Sequence, residues 1–146
     1  MLAFCKCYYG AMKQNKFKSH CPINFAQETF GDRWSLLIIR DLMFKCKQYY
    51  GEFLNSDEKI STNILATRLE KLEMVGLITK TIDQKNHSKK LYCLTQKGID
   101  LMPMLLEMIA WSAKYDDKTE APAEFIASFE DDRVALIEQL RENLNQ

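Results

Sequence analysis

A chain of 146 residues is long enough for one compact core and too short for two ordinary domains. Its formal charge of zero is unevenly laid out: residues 1–99 hold 16 Lys and Arg against 9 Asp and Glu, a net of +7, while residues 100–146 hold 4 against 11, a net of −7. No apolar run reaches the roughly 18 residues of a transmembrane helix, and the basic front suits a polyanionic partner, because neutralising phosphates needs only a local positive face. An acidic set of surface helices accounts for the tail but leaves the basic portion unexplained.

Residues 1–20 are poorly patterned and read as an N-terminal arm. The opening MLAFCKCYYGAM lacks a basic stretch followed by a continuous apolar segment and a small-residue cleavage site, so a signal peptide is not expected and the expected compartment is the cytoplasm. The five cysteines, at 5, 7, 21, 46 and 93, are odd in number and form no CxxC pair. Structural disulfides are not expected in that compartment, and Cys5-x-Cys7 has no matching pair, so neither a metal nor a cofactor is expected.

Pro22 suits the first turn of a helix, which makes Cys21 its N-cap and residues 23–30 a short first helix ending at Gly31. Asp32 then caps a second helix over residues 33–44, whose run Leu36-Leu37-Ile38-Ile39 is too apolar for a surface element and marks it as the central core helix. Its Trp34 reads as a packing group, with ligand stacking as the rival. Residues 49–55 carry Tyr50, Phe53 and Leu54 at i, i+3 and i+4, which predicts another short helix, followed by a turn over residues 56–60.

The stretch STNILATRLEKLEMVG, residues 61–76, has both ends marked: Ser61 suits an N-cap and Gly76 a positive-φ stop. Leu65, Leu69 and Leu72 form its packing stripe, while Asn63, Thr67, Glu70, Lys71 and Met74 point away, with Ala66 and Arg68 on the flanks. The outward N-terminal half is short and neutral-polar, as a helix that lies in a DNA major groove requires; an ordinary amphipathic core helix is the rival. Residues 77–82 and 91–94 read as strands joined by the polar, Lys-rich loop DQKNHSKK. A helix followed at once by such a hairpin is the layout of a winged helix-turn-helix.

After the hairpin, Thr95 caps a long helix through about residue 115, kinked or restarted at Pro103. Ile99, Met102, Leu105, Leu106, Ile109 and Trp111 give it more apolar surface than a small monomer covers comfortably, which points to dimerisation, with a single-chain core as the alternative. Residues 116–124 read as a hinge. Residues 125–145 read as one or two amphipathic turns of helix, with Ile126, Phe129, Val134, Ile137, Leu140 and Leu144 toward the body.

These residues resemble the HxlR-type winged helix-turn-helix transcriptional regulators of bacteria, relatives of the MarR-like dimers. The resemblance is carried by Cys21-Pro22-Ile23, the run from Gly31 through Leu42, Ile60-Ser61, Leu65, Arg68-Leu69, Leu72, Gly76-Leu77-Ile78, Tyr92, Leu94-Thr95 and Gly98, and covers about residues 21–115. Asp32 departs from it, standing where Gly is more usual, as does the absence of a Gly over residues 45–49. The resemblance implies a mainly α fold with a small β-hairpin wing, a long C-terminal dimerisation helix, and a domain over residues 21–115, with 116–146 as a helical extension. It also makes Met12 the more usual start, leaving the first eleven residues as an extension.

The implied partners are double-stranded DNA and a second copy of the chain; no membrane partner is expected. Thr62, Asn63, Ala66 and Thr67 would meet base edges: Asn offers a donor–acceptor pair suited to adenine, Thr can bond or touch a thymine methyl, and Ala permits close approach. Ser61 and the amides at the helix start would face a phosphate, and Arg68, Lys71, His87, Lys89 and Lys90 would grip others. A salt bridge within the domain is the rival for Arg68, and a solvated loop for the wing lysines. Leu105, Leu106, Ile109 and Trp111 would serve the dimer.

Cys21, at a helix N-terminus beside Lys18 and His20, sits where positive potential favours a thiolate, and some family members use a cysteine here to sense oxidants or electrophiles. An inert thiol is the alternative. Enzyme chemistry is not expected: His20 and His87 lack a paired carboxylate, and a thiol oxidoreductase built on Cys5 and Cys7 lacks a supporting shell. The stronger rival is a winged helix used for protein contacts.

Overall fold

The computed structural model describes residues 18–144, so the start site, Cys5 and Cys7 lie outside the described residues. Eight helices and a two-stranded antiparallel hairpin follow in the order α1 (Pro22–Phe30), α2 (Ser35–Phe44), α3 (Tyr50–Leu54), α4 (Thr62–Met74), β1 (Ile78–Ile82), β2 (Lys90–Leu94), α5 (Gln96–Ile99), α6 (Met102–Tyr115), α7 (Ala123–Asp131) and α8 (Arg133–Leu144).

The floor of the core is α2. Its Ile38, Ile39, Leu42 and Met43 are buried against Leu65, Leu69 and Leu72 of α4, Phe53 of α3, Tyr92 of β2 and Met102, Leu105 and Leu106 of α6. The helix begins at Ser35 rather than residue 33, because the Asp32 carboxylate accepts from the Trp34 and Ser35 amides at 3.0 Å each and holds residues 33 and 34 in the turn. Trp34 packs against the core, half-buried, with Arg33 stacked 5.1 Å from its ring.

The stop of α4 is made by Gly76 at φ +74, a left-handed conformation that lets the Leu77 amide donate back to the Leu72 carbonyl at 2.9 Å. The chain therefore turns straight into β1, paired with β2 in the register Ile78↔Leu94 to Ile82↔Lys90. A third segment joins this sheet: the Tyr92 amide donates to the Gln48 carbonyl at 2.9 Å and Tyr49 bridges Leu91. The chain just before α3 is thereby tied to the wing, a pairing that no local pattern announced.

The expected long helix after the wing is two. Thr95 caps α5, its hydroxyl accepting from the Gly98 amide and donating to the Gly76 carbonyl, and α6 restarts with Pro103 in its first turn, where a missing N–H costs nothing. The expected hinge is shorter than 116–124, since α7 begins at Ala123. The tail forms two helices of nine and twelve residues rather than one or two turns. Asp132 separates them, accepting from the Ala135 amide at 3.0 Å as a cap for α8. Phe129 is buried against α6 and its neighbours, whereas Val134, expected to face the body, is 62% exposed: at this restart of the helix its side chain falls on the outer face. No helix among the described residues is long and apolar enough to cross a membrane.

Candidate nucleic-acid interface

The packing of α4 fixes which side it presents. With Leu65, Leu69 and Leu72 in the core, Thr62, Asn63, Ala66 and Thr67 are all exposed in its first half. Ser61 caps the helix, its hydroxyl accepting from the Ile64 amide at 3.4 Å. The Tyr50 hydroxyl donates to the Thr62 carbonyl at 2.7 Å, so α3 braces the start of α4 directly. Thr67 donates its own proton to the Asn63 carbonyl at 2.9 Å, which leaves its methyl group and a lone pair for an outside partner. Ile64, 38% exposed, shares this end of the helix and was not singled out from sequence, because an apolar residue there reads as core.

The cations divide into two groups. His87, Lys89 and Lys90 stand exposed on the wing with Lys85, a fourth basic residue that the Lys-rich run contained but the sequence reading left unassigned. The loop that carries them is ordered by its own side chains: the Asp83 carboxylate accepts from the Lys85 amide and the Tyr49 hydroxyl, which holds it below the usual carboxylate range, and Asn86 accepts from the Ser88 amide and hydroxyl. Lys89 lies over the Tyr49 ring at 5.4 Å.

Arg68 and Lys71 are only partly exposed and both face Asp32. Arg68 Nε is 3.3 Å from Asp32 Oδ1 and Lys71 Nζ 3.3 Å from Oδ2. Lys71 donates a hydrogen bond, whereas the buried Arg68 Nε makes a charge contact without one. Partial burial pushes the Asp32 carboxyl up, but hydrogen bonds from the Ser35 hydroxyl, the two amides and Lys71 outweigh it and hold it below the usual carboxylate range. Of the two readings of Arg68 offered by sequence, the internal ion pair is the one present here.

The wing and α4 are joined at their base by Lys80 and Glu73, 3.0 Å apart. Helix, wing and the helix-turn-helix scaffold thus form one braced unit, and a protein-family model for HxlR-like helix-turn-helix proteins matches residues 29–120. The chain belongs to this family.

HxlR-like members among its relatives are transcriptional regulators rather than enzymes. The HTH-type transcriptional regulator sll1512 of Synechocystis is 32% identical over 88 residues, covering 60% of this chain and 64% of that protein, so the match spans less than two thirds of that relative. YodB, an HTH-type transcriptional regulator of Bacillus subtilis, is 33% identical over 96 residues, covering 65% of this chain and 85% of that one. The crystal structure of PA1607 superposes with a TM-score of 0.63 at 32% identity, over 72% of each chain, and the reduced form of YodB with 0.55 at 28%, over 70% of this chain and all of that one. The winged helix-turn-helix expected from sequence is the fold of this protein.

The remaining site residues fall in three places. Leu105 and Leu106 of α6 are buried in the core of their own chain and are not available to a partner. Ile109 is half-buried, and the open apolar surface of α6 is Met108, Trp111 and Tyr115, with the Trp111 and Tyr115 rings 5.2 Å apart. Helix α1 exposes Ile23 at 71%. Cys21 is exposed at the N-cap of α1, Cys46 is exposed, and Cys93 is half-buried, where burial pushes its thiol up. Among the described residues no group of three or more His, Cys, Asp or Glu is placed to hold a metal ion.

Proposed function

We propose that the protein is a sequence-specific DNA-binding regulator acting as a homodimer on a pseudo-palindromic operator. The observation that carries the reading is the exposed face of α4, where Thr62, Asn63, Ala66 and Thr67 are short and uncharged, with the apolar Ile64 among them, while the helix is anchored by three buried leucines. A solvated helix has no reason to be so bare of charge, whereas short side chains that bond or touch base edges suit a major groove. Two such helices enter successive grooves roughly 34 Å apart, while Lys89, Lys90 and His87 of each wing run along the backbone. Trp111, with Met108 and Tyr115 beside it and Ile109 beneath, supports α6 as the dimer contact, and Ile23 supports a share for α1. The unit over residues 21–115 carries these functions, α7 buttresses α6 through Phe129, and α8 packs against the core through Leu136, Ile137 and Leu140.

Control through Cys21 is the finer part of the reading. The thiol is exposed at the head of a nine-residue helix, and YodB has been solved both reduced and quinone-bound. Modification of Cys21 would act on the dimer angle and so on the spacing of the two α4 helices.

The test selects binding sites from a random duplex library with the wild type, then compares Asn63→Ala and Thr67→Ala on the selected site and on unrelated DNA. Loss of a bidentate Asn contact costs about 1–3 kcal/mol of discrimination and leaves nonspecific affinity in place. Undiminished discrimination in both variants removes this face as the reader. Capture of a protein partner with no selected duplex would favour a protein-contact module instead.

A further inference from the structure

Asp32 does more than start α2. Its carboxylate is fixed by three hydrogen bonds, from the Trp34 and Ser35 amides at 3.0 Å and the Ser35 hydroxyl at 2.6 Å, so it cannot swing aside. Held there, it faces two cations of the reading helix at once, Arg68 and Lys71, each at 3.3 Å. These contacts are longer than the roughly 2.7–2.9 Å of strong charge-assisted bonds, and Arg68 Nε, buried, donates to nothing. A planar pair of anionic oxygens presented to an Arg and a Lys is the arrangement a phosphodiester would offer the same two side chains. A phosphate drawn to Arg68 and Lys71 meets the fixed charge of Asp32 beside them. Among the wing cations, Lys89 rests on the Tyr49 ring with only an electrostatic pull from Glu52.

We infer that Asp32 is a built-in competitor for the DNA phosphate at Arg68 and Lys71, lowering sequence-independent grip on every duplex. The inference depends on the DNA reading above. It makes Asp32 an affinity-setting residue that touches neither base nor phosphate. An ordinary structural ion pair, by contrast, would affect folding and leave the salt dependence of binding alone.

The decisive variant is Asp32→Asn in the full chain. Asn retains an oxygen for the two amides and an N–H for the Ser35 hydroxyl, and replaces the charged acceptor facing Lys71 with an uncharged donor. Affinity for a random-sequence duplex is measured across a salt series beside the selected operator. Freeing one or two cations steepens the log–log salt slope by about 0.9 per phosphate gained and raises nonspecific affinity on the order of 3- to 10-fold near 0.1 M salt. Operator affinity rises by a similar factor, because the freed phosphate contacts carry no sequence information. Adding Arg68→Met and Lys71→Met abolishes the gain. Asp32→Ser, which still caps α2 but cannot reach Lys71, gives the same result should the Asn variant fold poorly. An unchanged slope with unchanged or weaker affinity in both variants overturns the inference while leaving the DNA reading intact. Absence of wild-type binding to any duplex overturns both.

Discussion

Asp41→Asn tests how the scaffold is held beneath α4. The Asp41 side chain, 3% exposed, accepts from Arg40 Nε and Nη2 at 2.9 and 2.7 Å, from Lys47 Nζ at 2.8 Å and from the Ser56 hydroxyl. Arg40 in turn grips Glu58 through both terminal nitrogens. The segments before and after α3 are thus bolted to α2. Asn keeps the shape but turns one acceptor into a donor facing Lys47 or Arg40. Removing one partner of a buried pair costs about 3–5 kcal/mol when the other stays dry. Arg40 and Lys47 are 24% and 18% exposed and recover some water, so about 2–3 kcal/mol is expected here. For a chain of this size that is roughly 6–12 °C in Tm, read by urea and thermal unfolding. The pH dependence adds a sign. Burial raises the Asp41 carboxyl, but hydrogen bonds from Lys47, Ser56 and Arg40 outweigh it and hold it below the ordinary 3.8. The Arg40 hydrogen bonds hold Glu58 down to about 2 from 4.5. Both folded values are depressed, so their stabilisation is complete above the unfolded values and disappears as pH falls from about 4.5 toward 2. The wild type should lose stability more steeply across that window than Asp41→Asn. A cost under about 0.5 kcal/mol with an unchanged m value, or parallel pH curves, refutes the reasoning.

Gly98→Ala should destabilise by about 2–3 kcal/mol, because the new Cβ would lie 2.3 Å from the Leu77 carbonyl oxygen, which already accepts from the Thr95 amide; chemical denaturation at wild-type stability would contradict it. Lys89→Ala combined with Lys90→Ala should weaken operator and random DNA alike and flatten the log–log salt slope by about 2, checked by fluorescence anisotropy. Trp111→Asp, on a side chain 67% exposed, should leave subunit stability within about 0.5 kcal/mol yet shift sedimentation from dimer to monomer; an unaltered dimer would place the contact elsewhere. Cys21→Ser should retain DNA binding after diamide treatment, whereas the wild type should lose it, and equal losses would remove this thiol as the sensor.

The local features of this chain announced themselves because their causes are local. Ser61 and Thr95 as caps, Gly76 as the left-handed stop, Pro103 as a restart and the leucine stripe of α4 each act within one or two turns, so spacing and residue type determined them. The exposed face of α4 followed from the stripe opposite it. Asp132 is equally local, a cap within EDDR, and it restarts the helix so that hydrophobic spacing alone misplaces Val134. What only the tertiary structure decided were contacts between residues far apart in the chain. The 39 residues from Asp32 to Lys71, the 18 from Arg40 to Glu58 and the pairing of Gln48 with Tyr92 depend on how α2 crosses α4 and how the wing folds back, and charge at one position does not say which partner it will meet. The same holds for burial on α6: periodicity grouped Leu105, Leu106 and Trp111 as apolar, and packing alone separated the two that fill their own core from the one left open to solvent.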